Sequence, residues 1–319
     1  MTIHIISTIN GQQNEGMRNI ATHIGKVLEK SETVIYSSFR DVLRIPFRCV
    51  SSDITMIFAR CNSKIYYMTK MCCMFCKNVF VVMVQRPDAA YIKRNSRHPL
   101  KCHYFSICRS DADEIKLSNG CCVYDFCAGI NTIKFSPVGE IQRTSLKRKY
   151  GVSTDKPLVV HVGHCSVGRG LEDFAEIDGE QFERLVVASG MFENDQIKNL
   201  LHEHNIRLLT GYIHDVNEIY QMADVYLFPT QSDEFVISVP LSVMEALACG
   251  TPVVAYKSFQ KLCSIQGVSP QAITLMGASE ELHQALVEAL KQKDNRSLLE
   301  NAKSWEAVVS EMLEKIQNC

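Results

Sequence analysis

Two four-residue apolar runs, Val225–Phe228 and Val253–Tyr256, constrain this chain more than anything else in it. Neither alternates with polar residues, so a strand made from either must be covered on both faces. A parallel sheet layered between helices provides that cover. The segment joining them carries Ser242-Val-Met-Glu245, which reads as a helix start, and Gly250-Thr251-Pro252 closes that helix and leads into the second run. With Ser242 as N-cap, the first free N–H groups and the positive end of the helix dipole face the loop Phe235–Leu241, a ready place for an anion. Ser242-x-x-Glu245 also spells a capping box, in which the glutamate only satisfies a backbone N–H.

The same alternation runs along the whole chain. Strands are expected at 3–6, 33–36, 54–58, 79–84, 103–108 and 122–125, with helices at 17–28 and 64–77 and a helix start at Ser110. After a basic helical segment at 143–150, strands are expected at 158–162, 185–189 and 206–209, and helices at 171 onward, 194–204, 216–222, 277–291 and 295–316. The 319 residues suit two α/β domains, placed at 1–150 and 151–319, with the last helix able to cross back to the first. No apolar run reaches eighteen residues and the first residues lack a charged leader, which points to a cytoplasmic protein.

Charge is divided unevenly. Residues 1–150 hold 22 Lys/Arg against 11 Asp/Glu, and residues 151–319 hold 12 against 24. A basic first half favours an anionic partner, either an acceptor or the inner membrane face, unless the two halves simply attract each other. Nucleic acid is not expected, since no aromatic-basic single-strand motif accompanies the charge. The fourteen cysteines are scattered through apolar runs, without paired CxxC spacing or a histidine pair, so neither a metal nor a disulfide frame is expected.

Gly163-x4-Gly168-Arg169 nearly spells a phosphate-binding P-loop, but Arg169 stands for the lysine and Gly170 for the Ser/Thr that would hold magnesium. Ile6–Gly11 is not GxGxxG, which disfavours a dinucleotide oxidoreductase.

Pro229-Thr230 followed by Glu245-Ala-Leu-Ala-Cys-Gly-Thr-Pro-Val-Val254 resembles the signature of family 4 glycosyltransferases (glycosyl transferases group 1) of the GT-B fold. The likeness continues in Ala128–Pro137, which resembles the family's linker entry, and in Ser304-Trp305-Glu306 of its terminal helix. It implies two Rossmann-like doubly wound domains facing across a cleft. It further implies a metal-independent, retaining hexosyltransferase that needs no cofactor and moves a sugar from a nucleotide-diphosphate sugar to a glycan, lipid-linked or small-molecule acceptor.

By position, the resemblance assigns donor binding to Gly163, His164, Arg169, Ile213, Ser238, Val239, Pro240, Leu241, Ser242 and Glu245. It assigns catalysis to Arg169 and Gln85, and acceptor binding to Gly11, Gly16 and Arg86. Three positions depart from the family pattern: Ile237 replaces a glutamate, His164 an arginine, and Gln85 a histidine. These keep open a non-catalytic partner subunit of the same fold, and a nucleotide-sugar epimerase is the other alternative.

Overall fold

The computed structural model describes residues 1–8, 16–190, 193–232, 236–293 and 295–319. Packing divides them into two units. The first comprises Met1–Gly129, Val236–Val239 and Lys303–Cys319, and the second Ile130–Phe235 and Pro240–Ala302.

The first unit contains β1 (Thr2–Ile6), α1 (Gly16–Leu28), β2 (Thr33–Ser37), α2 (Ile45–Val50) and β3 (Ile54–Phe58). It continues through α3 (Ser63–Phe75), β4 (Asn78–Met83), α4 (Ala89–Arg97), β5 (His103–Ser106) and β6 (Val123–Asp125). All described strand pairs are parallel, in the order β2-β1-β3-β4-β5-β6. Every residue of β3 and five of six in β4 are buried, as expected of strands covered on both faces. Asn62 caps α3 by accepting from Lys64 N (2.9 Å) and Ile65 N (3.1 Å), and Asp88 caps α4 by accepting from Tyr91 N (2.6 Å). The helix expected at Ser110 is only a 3-10 turn, Arg109–Asp111.

The second unit contains α5 (Glu140–Lys149), β7 (Leu158–Gly163), α6 (Leu171–Ala175), β8 (Glu183–Ala188), α7 (Asp195–Glu203) and β9 (Arg207–Thr210). It is completed by α8 (Val216–Met222), β10 (Val225–Phe228), α9 (Leu241–Ala248), β11 (Val253–Tyr256), β12 (Ile273–Met276) and α10 (Leu282–Leu290). Its sheet is parallel in the order β12-β11-β10-β7-β8-β9. The chain leaves β7 towards β8 and β9 on one side and returns to β10 on the other. The crevice beyond the carboxyl ends of β7 and β10 is therefore the topological switch point of a Rossmann-like sheet, where ligands bind.

The division falls at Gly129/Ile130 and not at 150 because α5 belongs with the second unit. Asp224, at the foot of β10, accepts from Arg143, from Lys147 Nζ (2.8 Å) and from Leu158 N (2.7 Å). Burial pushes the Asp224 carboxyl up, but Lys147, the Leu158 N–H and Arg143 outweigh it and hold the carboxyl below its usual range. Counted over the structural units, the first holds nineteen Lys/Arg against thirteen Asp/Glu, so much of the asymmetry between sequence halves came from α5.

The helix expected over 295–316 begins only at Trp305. α11 (Trp305–Gln317) lies in the first unit, and Ser304 caps it by accepting from Ala307 N (3.2 Å). The Trp305 ring stacks on His23 of α1 at 4.8 Å, and Lys315 Nζ donates to Asp125 O (2.7 Å). A Cβ on Gly129 would lie 2.7 Å from the Trp305 backbone and 2.6 Å from its ring. Among the described residues, no helix is long and apolar enough to cross a membrane.

Two outcomes follow for equilibrium denaturation. Asp224→Asn leaves Lys147 buried without an anion and Arg143 with only the exposed Glu140 (2.6 Å), and is expected to cost about 3–5 kcal/mol. Gly129→Ala, which forces Trp305 or its backbone to move, is expected to cost about 1–3 kcal/mol; a change below about 0.5 kcal/mol would show that α11 does not hold this position tightly.

Candidate functional site

The switch point of the second unit is organised around Tyr226, buried in β10. Its hydroxyl donates to Val162 O (3.2 Å) and lies 2.9 Å from Ser242 Oγ, tying β10 to the end of β7 and to the start of α9. Val162 O can only accept, so the single Tyr226 proton serves it while Ser242 Oγ donates to the phenol oxygen.

Ser242 is not the N-cap. α9 starts one residue earlier, with Pro240 as N-cap at φ −62°, ψ 127°, and no side chain caps it. The proline ring fixes the entry to the helix, and Ser242 and Glu245 fall at its second and fifth positions. Glu245 is thus too far along to close a capping box, and that alternative fails on geometry. Leu241 and Ser242 present the first N–H groups of the helix, at the positive end of its dipole.

Part of Glu245 faces solvent, yet protein surrounds its carboxyl closely enough for burial to raise its pKa to about 7. Tyr220 and Lys134 oppose that rise. Among the described residues the Tyr220 hydroxyl meets no hydrogen-bond partner within normal distance and angle, and Lys134 is steadied by donating to His214 O (2.6 Å). A carboxyl half ionised near neutral pH, beside an underused hydroxyl, is suited to accept from neutral hydroxyl donors.

Arg169 comes from the loop after β7. Gly170, at φ 72°, follows it and passes so close to β10 that a Cβ there would sit 2.1 Å from Pro229 O. That approach, with Thr230 Oγ1 donating to Arg169 O (3.4 Å), fixes Arg169 against the end of β10. The side chain is only 9% exposed, and no ion pair involves it among the described residues. Burial lowers its pKa and Tyr226 opposes that, so Arg169 is a desolvated cation that meets no anion among the described residues.

His161 carries no motif that marks it in the sequence. This residue is fully buried in β7, its ring parallel to that of Tyr226 at 6.2 Å, and its Nδ1 meets Leu227 O at 3.0 Å. Nδ1 therefore carries the proton, and Nε2 presents a lone pair that meets no partner among the described residues. Burial pushes its pKa to about 4, so the ring is neutral. A Cβ at Gly163 would stand 2.8 Å from Nε2, which accounts for the glycine there. His161 sits inside an apolar strand run, where a histidine reads as core, and only its pairing with Leu227 reveals the tautomer.

Of the expected donor residues, the second unit brings Gly163, Arg169, Pro240, Leu241, Ser242 and Glu245 around Tyr226. His164 follows β7, with Nδ1 2.8 Å from Ser189 Oγ, and Ile213 is half-buried in the turn after β9. Ser238 and Val239 lie in the first unit, where Ser238 N donates to Val84 O (2.9 Å) and Ser238 Oγ to Asp111.

In the first unit, Gln85 is buried just after β4 and Arg86 is exposed. Gly16 opens α1, and a Cβ there would meet Ile237 at 2.7 Å. Gly11 lies outside the described residues. Among the described residues, no group of three or more His, Cys, Asp or Glu is arranged to hold a metal.

Residues 157–292, nearly all in the second unit, match the family model described as Glycosyl transferases group 1. The chain resembles group 1 glycosyltransferases. It is 28% identical over 170 residues to N-acetyl-alpha-D-glucosaminyl L-malate synthase from Bacillus anthracis, a match over 47% of this chain and 43% of that protein. It is 27% identical over 134 residues to a sulfoquinovosyl transferase from Arabidopsis thaliana, over 41% of this chain and 25% of that protein. The chain thus spans less than half the length of these curated relatives.

Among solved structures, it is similar to Anabaena HepE in complex with UDP and glucose, with a TM-score of 0.78, 11% identity and full coverage of both chains. It is also similar to sucrose-phosphate synthase from Thermosynechococcus elongatus, with a TM-score of 0.75, 14% identity and coverage of 99% and 98%. At these identities the likeness establishes the fold, which is GT-B, built from two Rossmann-like α/β units.

The Glu245 carboxyl generates a signed expectation. A carboxyl whose folded pKa is raised from 4.5 to about 7 costs the empty protein stability as pH rises between those values, and the loss is complete above about 7. Glu245→Gln should therefore stabilise the ligand-free protein at pH 8, by roughly 1–2 kcal/mol after allowing for partial exposure, and leave it unchanged near pH 4. Denaturant titrations at both pH values measure this; a destabilised variant at pH 8 would mean that the carboxylate is structurally paired.

Proposed function

We propose that this protein is a glycosyltransferase that binds a nucleotide-diphosphate sugar in its second unit and transfers the sugar to an acceptor with retention of anomeric configuration. The observation that carries the reading is Arg169: a desolvated guanidinium that meets no anion among the described residues, beside the N-terminus of α9, at the switch point of a Rossmann-like sheet. Placing a diphosphate there supplies the missing negative charge. Glu245 takes the ribose hydroxyls as acceptor, and the first N–H groups of α9, at Leu241 and Ser242, donate to phosphate.

The chemistry follows from those roles. The bond between the anomeric carbon and the diphosphate oxygen breaks, and negative charge develops on the leaving phosphate. Arg169 and the α9 N–H groups stabilise that charge without a metal. The acceptor hydroxyl forms the new bond on the same face, and its proton passes to the leaving phosphate oxygen, so no carboxylate pair is needed. The acceptor is a sugar or lipid-linked molecule, handled near Gln85, Gly16 and Arg86 of the first unit. We place the protein in the cytoplasm, peripheral at the inner membrane face.

Three measurements test this. A thermal-shift panel of UDP, GDP and ADP sugars should include one that stabilises the protein, by about 2.7 kcal/mol at one hundred times its dissociation constant. Arg169→Ala should lower turnover by roughly 10²-fold or more, with nucleoside monophosphate still bound nearly as before and wild-type activity unchanged by EDTA. Equal losses for mono- and diphosphate would remove Arg169 from the diphosphate site, whereas donor binding without transfer to any acceptor would favour a non-catalytic subunit.

The pH dependence has a definite sign. Ribose contact needs ionised Glu245, so the dissociation constant of the nucleotide sugar should rise about tenfold per pH unit as pH falls below about 7. Glu245→Gln should flatten that profile; a flat profile in the wild type contradicts the ribose role.

A further inference from the structure

The large hydrophobic side chains that the first unit leaves exposed are concentrated in one place. Apart from Met1, all of those among its described residues fall between Val42 and Phe75. Leu43 is 86%, Phe47 78%, Val50 68% and Met74 73% exposed, far beyond what isolated surface hydrophobics need as explanation.

They form one face because α2 packs on α3. Ile45 and Cys49 turn inward from α2, with Cys49 against Cys72 of α3, and this leaves Phe47 and Val50 on the outer side. The Cys76 thiol, just past α3, reaches Ser52 O at 3.8 Å and brings Met74 and Phe75 to the end of α2 that carries Val50. Leu43 occupies a turn that is fixed: Asp41 accepts Ser38 N–H on its carboxylate (2.9 Å), and Asp41 O accepts from Arg44 N (2.8 Å) and Ile45 N (3.1 Å). The ridge is thus held outward by structure and is not a fraying end. Ile65, Tyr66 and Cys72 of α3 are core, so α2 and the turn before it supply the most exposed residues.

The charge around the ridge selects its partner. Residues 40–101 carry twelve Lys/Arg and three Asp/Glu, and Arg40, Arg44, Lys70 and Lys77 are exposed beside the apolar side chains. A second copy meeting this face would set those cations against their own kind. An apolar ridge fringed by cations matches the interface of an anionic bilayer, where headgroups pair the charges and the acyl boundary takes the apolar tips.

We infer that the α2–α3 face, led by Leu43, Phe47 and Val50 and flanked by Arg44, Lys70 and Lys77, docks the protein on an anionic lipid bilayer. This specifies the peripheral association proposed above and uses no residue of the donor site, so either reading can fail without the other.

The test is co-sedimentation of the full chain with phosphatidylcholine vesicles, pure or containing phosphatidylglycerol, at about 0.05 and 0.5 M salt. Binding should require phosphatidylglycerol and weaken at high salt. The triple variant Leu43→Asp, Phe47→Asp, Val50→Asp should need at least tenfold more lipid for half-binding, while its thermal unfolding and its response to nucleotide sugars stay as in the wild type. Each of Arg44→Ala, Lys70→Ala and Lys77→Ala should weaken binding roughly fivefold. In a Phe47→Trp variant, brominated anionic lipid should quench the new fluorophore, and the buried native Trp305 should not respond. Failure of the wild type to bind phosphatidylglycerol vesicles at low salt would overturn the inference, as would unchanged binding by the triple variant. A dimer in sedimentation velocity that the triple variant abolishes would assign the face to a second copy and overturn it equally.

Discussion

The second unit depends on what the Asp224 carboxylate holds together. It sits where β10 begins, and by taking Arg143, Lys147 and the Leu158 N–H at once it fixes α5 to the sheet and sets β10 beside β7. That pairing creates the switch point. Everything proposed for the donor site, from the Tyr226 bond to Ser242 to the close pass of Gly170 over Pro229, requires these two strands to be neighbours in this register. A buried carboxylate with two cations is not a strong source of net stability, but it is an unforgiving one: a misplaced strand leaves the carboxylate and Lys147 buried without each other.

Over this foundation lies a layer of polar residues whose hydrogen bonds are nearly but not wholly complete. Among the described residues, His161 has a partner for one nitrogen and not the other, Tyr220 Oη has none, and Arg169 meets no anion. Such incompleteness is costly in an empty protein. It is the expected condition of a surface shaped to a polyanionic ligand with hydroxyl groups, in which the last partners arrive with the ligand.

Strands and motifs of the second unit were legible in the sequence because fully apolar runs leave a strand few options. Val225–Phe228 and Val253–Tyr256 stand where expected, to the residue. Short elements were not legible. α2 is six residues long, and its proline at the second position reads as a break as readily as a helix start. α4 carries few apolar residues in a strongly basic stretch. The domain boundary was misread because the basic helix α5 resembles a linker until its anion, Asp224, is seen eighty-one residues away from Arg143. Ser242 looked like a cap because a hydroxyl before an apolar run normally is one, and the proline ahead of it took that place. Arg169 and Glu245 were recognised by position, but the burial that gives them their properties is a product of the fold.

The return of Lys303–Cys319 to the first unit has a consequence for how the protein is made. During synthesis the second unit, through Ala302, is available before the first has its last helix. Until α11 arrives, the face of α1 around His23 and the groove at Gly129 have no Trp305 to cover them. The usual order in which the N-terminal domain is finished first is inverted here. The nascent chain must therefore keep an unfinished first unit from aggregating while it waits for its closing segment.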